Sequence, residues 1–249
     1  MLQSWSFLHD ILNYSTAIFW LLAYVAVLQK VHKERNACGL SFQTLFALVL
    51  VEVSNVLLIL SLLSYHNKPL NADFFLVDCT SAVISICAFV YLFRNFRQTY
   101  EKQRDTFGQK YLRLLKVPTA CGPHTHLCFL YILSFILSFT MFILRRSPHA
   151  PSIGDVARYG NGRLVTGMLL SFWECFNDSV LALALLPQLQ MFYSRRPRKV
   201  TNLLGTFVAM LFCARTLAFI YWCVHMLLRI RFFSNEYSVL LLICCILSF

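Results

Sequence analysis

Long apolar stretches alternate along this chain with short polar segments that are rich in Lys and Arg. Apolar stretches of about 18 residues or more with few charges are typical of helices that cross a bilayer. The pattern predicts an all-α membrane protein in which residues 1–249 form a single transmembrane domain. Seven helices are predicted, with approximate bounds 12–29, 41–64, 72–93, 126–144, 164–190, 201–228 and 236–249.

The composition of the chain favours a location in the membrane rather than in water. Of its 249 residues, 58% are hydrophobic, only 13% are charged, and 23 are phenylalanine. A water-soluble protein of this size has too little interior to hide so much apolar surface. No Lys or Arg precedes the first apolar run, which begins near Ile18, and no small-residue cleavage site follows it. We therefore expect the first helix to be retained rather than removed as a signal peptide.

The distribution of basic residues predicts how the chain crosses the membrane. The loops after the first, third and fifth predicted helices carry fourteen Lys and Arg residues, whereas the loops after the second, fourth and sixth carry seven. Because basic loops tend to stay in the cytosol, this bias places the N-terminus in the lumen or outside the cell. The net charge of +11 comes from these loops, so it does not indicate a nucleic-acid partner.

No motif in the sequence indicates an enzyme, a metal centre or a cofactor. The HExxH, Gly-rich phosphate-loop and GxSxG patterns are absent. The ten cysteines form no CxxC pair, and we expect most of them to act as small buried hydrophobic residues. His124 and His126 lie near Cys121, where a solvated loop is a better interpretation than a metal site. We expect no catalytic residue, no metal and no cofactor.

Two parts of the chain resemble each other and indicate an internal repeat. Gln29, at the end of the first predicted helix, precedes Ser41 by twelve residues, and Gln188 precedes Thr201 by thirteen. A basic loop lies between the members of each pair, which predicts two three-helix repeats joined by the fourth helix. Ser41 and Thr201 are also ordinary helix N-cap residues, which accounts for part of the similarity. Pro187 predicts a local bend or unwinding of the fifth span.

Six ionisable residues lie well inside the predicted spans, and each is a candidate for ligand binding because charge is costly in hydrocarbon. They are Glu52, Asp78, Glu174, Asp178, Arg215 and His225. Arg215 is the only Lys or Arg within any predicted span, and Glu174 and Asp178 share a helix face at similar depth. Two interpretations stay open: a structural ion pair between Arg215 and one of these acids, or a polar cavity in which Arg215 binds an anion. Trp222 shares the face of Arg215, and His225 can become cationic in a mildly acidic compartment.

The third loop carries a motif that resembles a known family. Tyr100-Glu101 and Asp105-Thr106-Phe107, followed by Val117-Pro118, resemble a segment of the ER lumen protein-retaining (KDEL) receptors. Three other stretches resemble the second, fifth and sixth spans of that family, namely Cys38-Gly39-Leu40-Ser41, Leu185-Leu186-Pro187-Gln188-Leu189, and Ala214-Arg215-Thr216-Leu217 with Trp222. The similarity covers about residues 20–118 and 172–228. The Pro187-Gln188 piece also resembles the PQ-loop transporters, whose fold is similar.

The resemblance implies a multi-pass receptor of the endoplasmic reticulum and Golgi membranes. Its partners would be the C-terminal peptide of lumenal cargo proteins, membrane lipid and vesicle coat proteins. Arg215 and Trp222 match residues that line the family's peptide cavity, and His225 falls where the family has another ligand-binding arginine. The Arg-Tyr pair that clamps the peptide carboxylate in the family falls near Val53-Ser54 here. The alternatives are a PQ-loop-type carrier of a small solute, with the acids of the spans as candidates for proton coupling, and a divergent relative that acts only as a membrane partner.

Overall fold

The computed structural model describes residues 2–66, 72–114, 125–146, 153–194 and 202–232, and over those residues the regular structure is entirely helical. Its eight α-helices are α1 (Leu2–Glu34), α2 (Phe42–His66), α3 (Ala72–Phe96), α4 (Gln109–Leu114), α5 (Phe129–Arg146), α6 (Ile153–Leu183), α7 (Leu186–Ser194) and α8 (Asn202–Phe232). Single 3₁₀ turns follow α3 at Arg97–Thr99 and precede α5 at Thr125–Cys128. The predicted all-α class is confirmed for the described part of the chain.

Five segments of the described chain are long and apolar enough to cross a membrane. They are Tyr14–Glu34, Phe42–Ser64, Phe75–Thr99, His126–Ile143 and Val165–Ser194. α8 adds a shorter apolar segment, Leu204–Ile220. The predicted helix 236–249 lies outside the described residues. The total of seven helices and the two-repeat architecture therefore stay predictions.

The predicted fifth span, 164–190, is two helices rather than one. α6 begins earlier than predicted, at Ile153, and ends at Leu183, and α7 begins at Leu186. Pro187 is the reason, because it has no backbone N–H and its ring collides with the carbonyl of the residue four positions earlier, which is Leu183. The bend that Pro187 predicts is confirmed as a break at Ala184 and Leu185.

The long helices pack side by side around one apolar core. α1 makes its largest contact with α8 and also packs on α3, while α2 contacts α3, α6 and α7, and α5 lies on α6. Tyr24 and Val27 of α1, Leu48 of α2 and Phe207 of α8 are fully buried in this core. Many large apolar side chains on the outer faces are exposed, as expected where lipid replaces water; examples are Ile18, Leu57, Val83, Ile136, Leu169 and Phe212.

Candidate functional site

The third loop is fixed to the N-terminus of α2 by a buried carboxylate. Asp105, whose side chain is 2% exposed, accepts hydrogen bonds from Ser41 Oγ at 2.8 Å, from the Gln43 backbone N–H at 3.3 Å, and from the Tyr100 hydroxyl. Ser41 Oγ in turn accepts the Thr44 N–H at 3.2 Å, which makes Ser41 the N-cap of α2. The first N–H groups of a helix lack partners within the helix, and its N-terminus favours negative charge, so Asp105 stabilises this end of α2.

The break between α6 and α7 supplies the other half of this junction. Gln188 is fully buried, and its Oε1 accepts the Ser41 N–H at 2.8 Å while its Nε2 donates to the Gly39 carbonyl at 2.7 Å. The Gln188 backbone N–H donates to Thr44 Oγ1 at 3.1 Å. The side chain of Gln188 therefore satisfies the Gly39 carbonyl and the Ser41 N–H, on either side of Leu40, and it fastens α7 to the start of α2.

Ser41, Tyr100, Asp105 and Gln188 are called the loop anchor below. The anchor contains three of the family-motif residues, Tyr100, Asp105 and Gln188, and a fourth, Pro187, directly precedes Gln188. It lies at the end of the bundle that carries the loops predicted to be cytosolic. Burial, together with the charge of Asp105, raises the pKa of the Tyr100 phenol far above its usual range, so the phenol stays neutral and donates. The described geometry makes the anchor a structural junction rather than a ligand site.

The other two motif residues close the third loop against α5. Phe107 is buried and packs edge-on against Phe129, with ring centroids 5.8 Å apart. The Thr106 carbonyl accepts the Gln109 N–H at 3.0 Å, which begins α4. Gly108 between them has a φ of +86°, a conformation that only glycine adopts at low cost.

Gly108→Ala is expected to lower the free energy of unfolding by about 2 kcal/mol, from left-handed strain and overpacking together. A Cβ at this position would lie 2.5 Å from the Phe129 Cβ. Thermal melting of the purified full chain in detergent measures the loss. Gly205→Ala is the matched control, because a Cβ there meets nothing within 4 Å and α8 is helical. Equal melting temperatures for the two variants would contradict the prediction.

Lys30 and Gln29 at the end of α1 have surroundings that the sequence did not predict. Lys30, counted among the loop cations, is fully buried, and its Nζ donates to the Cys38 carbonyl at 2.9 Å and pairs with Glu34 at 3.3 Å. Gln29, the counterpart of Gln188 in the predicted repeat, has an exposed side chain. The two glutamines therefore have different surroundings, and Lys30 supports the loop before α2 instead.

A neutral polar network joins α2 to α6 inside the apolar bundle. Ser54 Oγ donates to Asn177 Oδ1 at 2.8 Å and accepts the Trp173 indole N–H at 2.6 Å. Asn177 Nδ2 donates to Asn55 Oδ1 at 2.8 Å. The network occupies the level of Val53-Ser54, where the resemblance places the Arg-Tyr pair that clamps the peptide carboxylate. Hydroxyl and amide groups satisfy one another at this level, and sequence analysis did not identify Asn55 or Asn177.

Arg215 lies half-buried on α8, and the charge of Asp178 on α6 acts on its guanidinium. Asp178 has an exposed side chain, whereas Glu174, one turn earlier on the same face, is half-buried. The charge of Asp178, one of the two acids that the sequence proposed as partners of Arg215, therefore acts on Arg215. The side chains of Trp222 and His225 lie outside the described part of the chain.

Glu52 and Asp78 are the remaining predicted site residues. Both line a cavity between α1, α2, α3 and α6. The described structure thus shows Glu52 and Asp78 at this cavity, and the charge of Asp178 acting on Arg215. In the described part of the chain, no three His, Cys, Asp or Glu side chains come together as a metal site. His124 and Cys121 lie outside the described residues.

Comparison with known proteins relates the chain to one family. The sequence model of the ER lumen protein retaining receptors matches residues 36–225. No curated protein sequence matches the chain. The matched range contains the loop anchor, the Ser54 network, Arg215, Trp222 and His225.

Proposed function

The chain belongs to the ER lumen protein retaining receptor family, and from this premise we propose that it binds C-terminal retention signals of lumenal proteins. The proposed cycle captures escaped proteins in the Golgi and returns them to the endoplasmic reticulum in coated vesicles. The family is a receptor family rather than an enzyme family, and the several apolar helices of the chain suit a multi-pass membrane receptor.

Arg215 is the observation that carries the proposal. A guanidinium within an apolar helix is costly unless an anion or water meets it, so such a residue marks a functional site. Arginine binds a carboxylate through two parallel charge-assisted hydrogen bonds, which suits the free C-terminus of a peptide. The charge of Asp178 acts on the Arg215 guanidinium. We propose that the peptide carboxylate replaces Asp178 as the partner of Arg215.

The Ser54 network modifies what the site can bind. Ser54, Trp173 and Asn177 offer neutral hydrogen-bonding groups at the level where the resemblance places an arginine clamp. A peptide held by one arginine loses the second set of charge-assisted bonds, each of which contributes about 1.5–3 kcal/mol. We therefore propose that this chain accepts a C-terminal carboxylate but selects the preceding residues differently from receptors that carry the clamp.

Binding of peptides with matched C-termini tests the proposal. The purified full chain is expected to bind a Lys-Asp-Glu-Leu-ended peptide, or a member of a C-terminal tetrapeptide library, when the carboxylate is free. The same peptide with a C-terminal amide is expected not to bind, because the amide cannot form an ion pair with Arg215. Binding is expected to be tighter near pH 5.4 than near pH 7.4, roughly one unit either side of the imidazole pKa, with His225 as the proposed titrating group. Absence of binding across the library at both pH values would overturn the proposal.

A carrier of small solutes is the second candidate, and the break between α6 and α7 favours it. Broken helices in membrane proteins expose backbone groups that line substrate paths. In this chain two backbone groups beside the break have partners, since the Gln188 N–H donates to Thr44 Oγ1 and the Leu185 carbonyl accepts the Leu189 N–H. Uptake of a solute into proteoliposomes that is lost in Glu174→Gln would favour the carrier. Absence of uptake for every solute of a panel would favour the receptor.

A further inference from the structure

A groove on the outer face of α3 binds one anionic phospholipid of the cytosolic leaflet, we infer, and this site goes beyond the peptide-carboxylate site proposed around Arg215. The groove has a volume of about 540 Å³. Its described lining belongs to α3, and the side chains are exposed: Ile86, Cys87, Val90, Tyr91, Arg94 and Asn95. They form two rows with a spacing of four residues, so they share one continuous face of the helix.

The groove changes from apolar to polar along the helix axis. Ile86 and Val90 form its deep part, and Arg94 and Asn95 form the end nearest the loop predicted to be cytosolic. Ile86 precedes Arg94 by eight residues, which is about 12 Å along an α-helix. The apolar part suits an acyl chain and the polar end suits a headgroup phosphate. A lipid of the cytosolic leaflet presents these two parts in the same order.

Arg94 carries a positive charge that has no counter-charge among the described residues. Its guanidinium makes no hydrogen bond or ion pair within the described structure, although it lies in the last turn of α3. Two neighbouring cations differ from it. Arg97 lies over the Phe93 ring, 5.3 Å from its centroid, and Arg104 pairs with Glu101 at 3.0 Å. The groove therefore ends at a guanidinium that is available to an anion.

Charge complementarity favours an anionic phospholipid as the occupant. Anionic lipids are concentrated in the cytosolic leaflet, where they attract basic side chains at the ends of spans. Arginine binds phosphate through two parallel hydrogen bonds, and the Tyr91 hydroxyl and the Asn95 amide offer further donors in the same groove. A free phosphate ion would contact only the polar end, whereas a phospholipid also covers the exposed side chains of Ile86 and Val90.

Thermal melting of the purified full chain in detergent micelles that contain dioleoyl phosphatidylinositol tests the inference. A saturable rise in the melting temperature is expected, because a ligand that binds only the folded state stabilises it. Dioleoyl phosphatidylcholine, which has no net charge, is expected to give no saturable rise. Arg94→Gln should weaken the affinity for phosphatidylinositol about fivefold or more. Arg97→Gln is the matched control, because it removes the same charge three residues away and Arg97 lies outside the lining.

Val90→Trp tests the apolar part of the groove without changing its charge. Val90 is 53% exposed, so a larger side chain here fills the groove rather than the core, and the melting temperature without lipid should stay close to that of the unsubstituted chain. The affinity for phosphatidylinositol should fall about fivefold or more, since the indole occupies the place of the acyl chain. Because Arg94→Gln and Val90→Trp are independent, one that fails to fold leaves the other to decide.

The remaining outcomes would each overturn the inference. One is the absence of a saturable effect of phosphatidylinositol, or an equal effect of phosphatidylcholine. Equal losses in Arg94→Gln and Arg97→Gln would show a diffuse attraction to surface charge instead of a site. The same saturation with sodium phosphate alone would assign the guanidinium to a free anion. The lipid carries no carboxylate and the variants leave Arg215 intact, so the result is independent of the peptide test.

Discussion

Asp105→Ala is expected to lower the free energy of unfolding by about 3–4 kcal/mol, because it leaves three hydrogen-bond donors without their acceptor. The Ser41 hydroxyl, the Gln43 N–H and the Tyr100 hydroxyl all donate to this carboxylate. Each buried donor left without an acceptor costs about 1–3 kcal/mol, and water can reach part of the vacated space. The change also removes negative charge from the N-terminus of α2. For a chain of this length the melting temperature should fall by about 6–16 °C.

Melting of the purified chain in detergent measures the effect, and two variants serve as controls. Glu101→Ala removes a carboxylate from the same loop, where its partner is the exposed Arg104 at 3.0 Å. Exposed pairs contribute about 0–1 kcal/mol, so this variant should melt close to the unsubstituted chain. Asp105→Asn keeps one acceptor oxygen, so its melting temperature should lie between those of Asp105→Ala and Glu101→Ala. A melting temperature for Asp105→Ala that equals that of Glu101→Ala would show that the loop anchor contributes little to stability.

The helices were predictable from the sequence because the signal is local. Apolar runs such as 41–64 and 72–93 end within a few residues of α2 and α3, since hydrocarbon thickness fixes the length of a span. The break after Leu183 was also predictable from the sequence, because Pro187 disrupts the helix within one turn of itself. The early start of α6 at Ile153 was not predictable, since residues such as Asp155 and Arg158 interrupt the apolar pattern that predicts a span.

The loop anchor was not predictable as a contact, because its residues are distant along the chain. Ser41 is separated from Asp105 by 64 positions and from Gln188 by 147. The sequence identified Asp105 and Gln188 as parts of a motif without a physical role, and only the fold shows that both bond to the same helix start. Asn55 and Asn177 were missed for a related reason. A neutral amide within a span is a weaker sequence signal of a polar site than a charged side chain, although a buried amide also needs hydrogen-bond partners.

Arg215→Gln is expected to weaken binding of a peptide with a free C-terminal carboxylate by about 30-fold or more. Removing one partner of a desolvated charge pair costs about 2–5 kcal/mol, and each 1.4 kcal/mol is a factor of ten in affinity. Glutamine keeps much of the length of the side chain but has no charge and cannot present the guanidinium fork. Arg104→Gln is the matched control, because it removes a cation that lies exposed on the third loop. The affinity of Arg104→Gln for the peptide should equal that of the unsubstituted chain.

Asp178→Asn separates the two possible roles of Arg215. If the peptide carboxylate replaces Asp178, removing the acid eliminates a competitor, and the affinity for the free-carboxylate peptide should rise while Arg215→Gln abolishes it. If the pair is structural, Asp178→Asn and Arg215→Gln should lower the melting temperature by similar amounts, and the double variant should be little worse than either single change. Isothermal titration and thermal melting on the same four proteins distinguish these patterns. Peptide affinity that is unchanged in a folded Arg215→Gln protein would show that this guanidinium does not bind the peptide carboxylate.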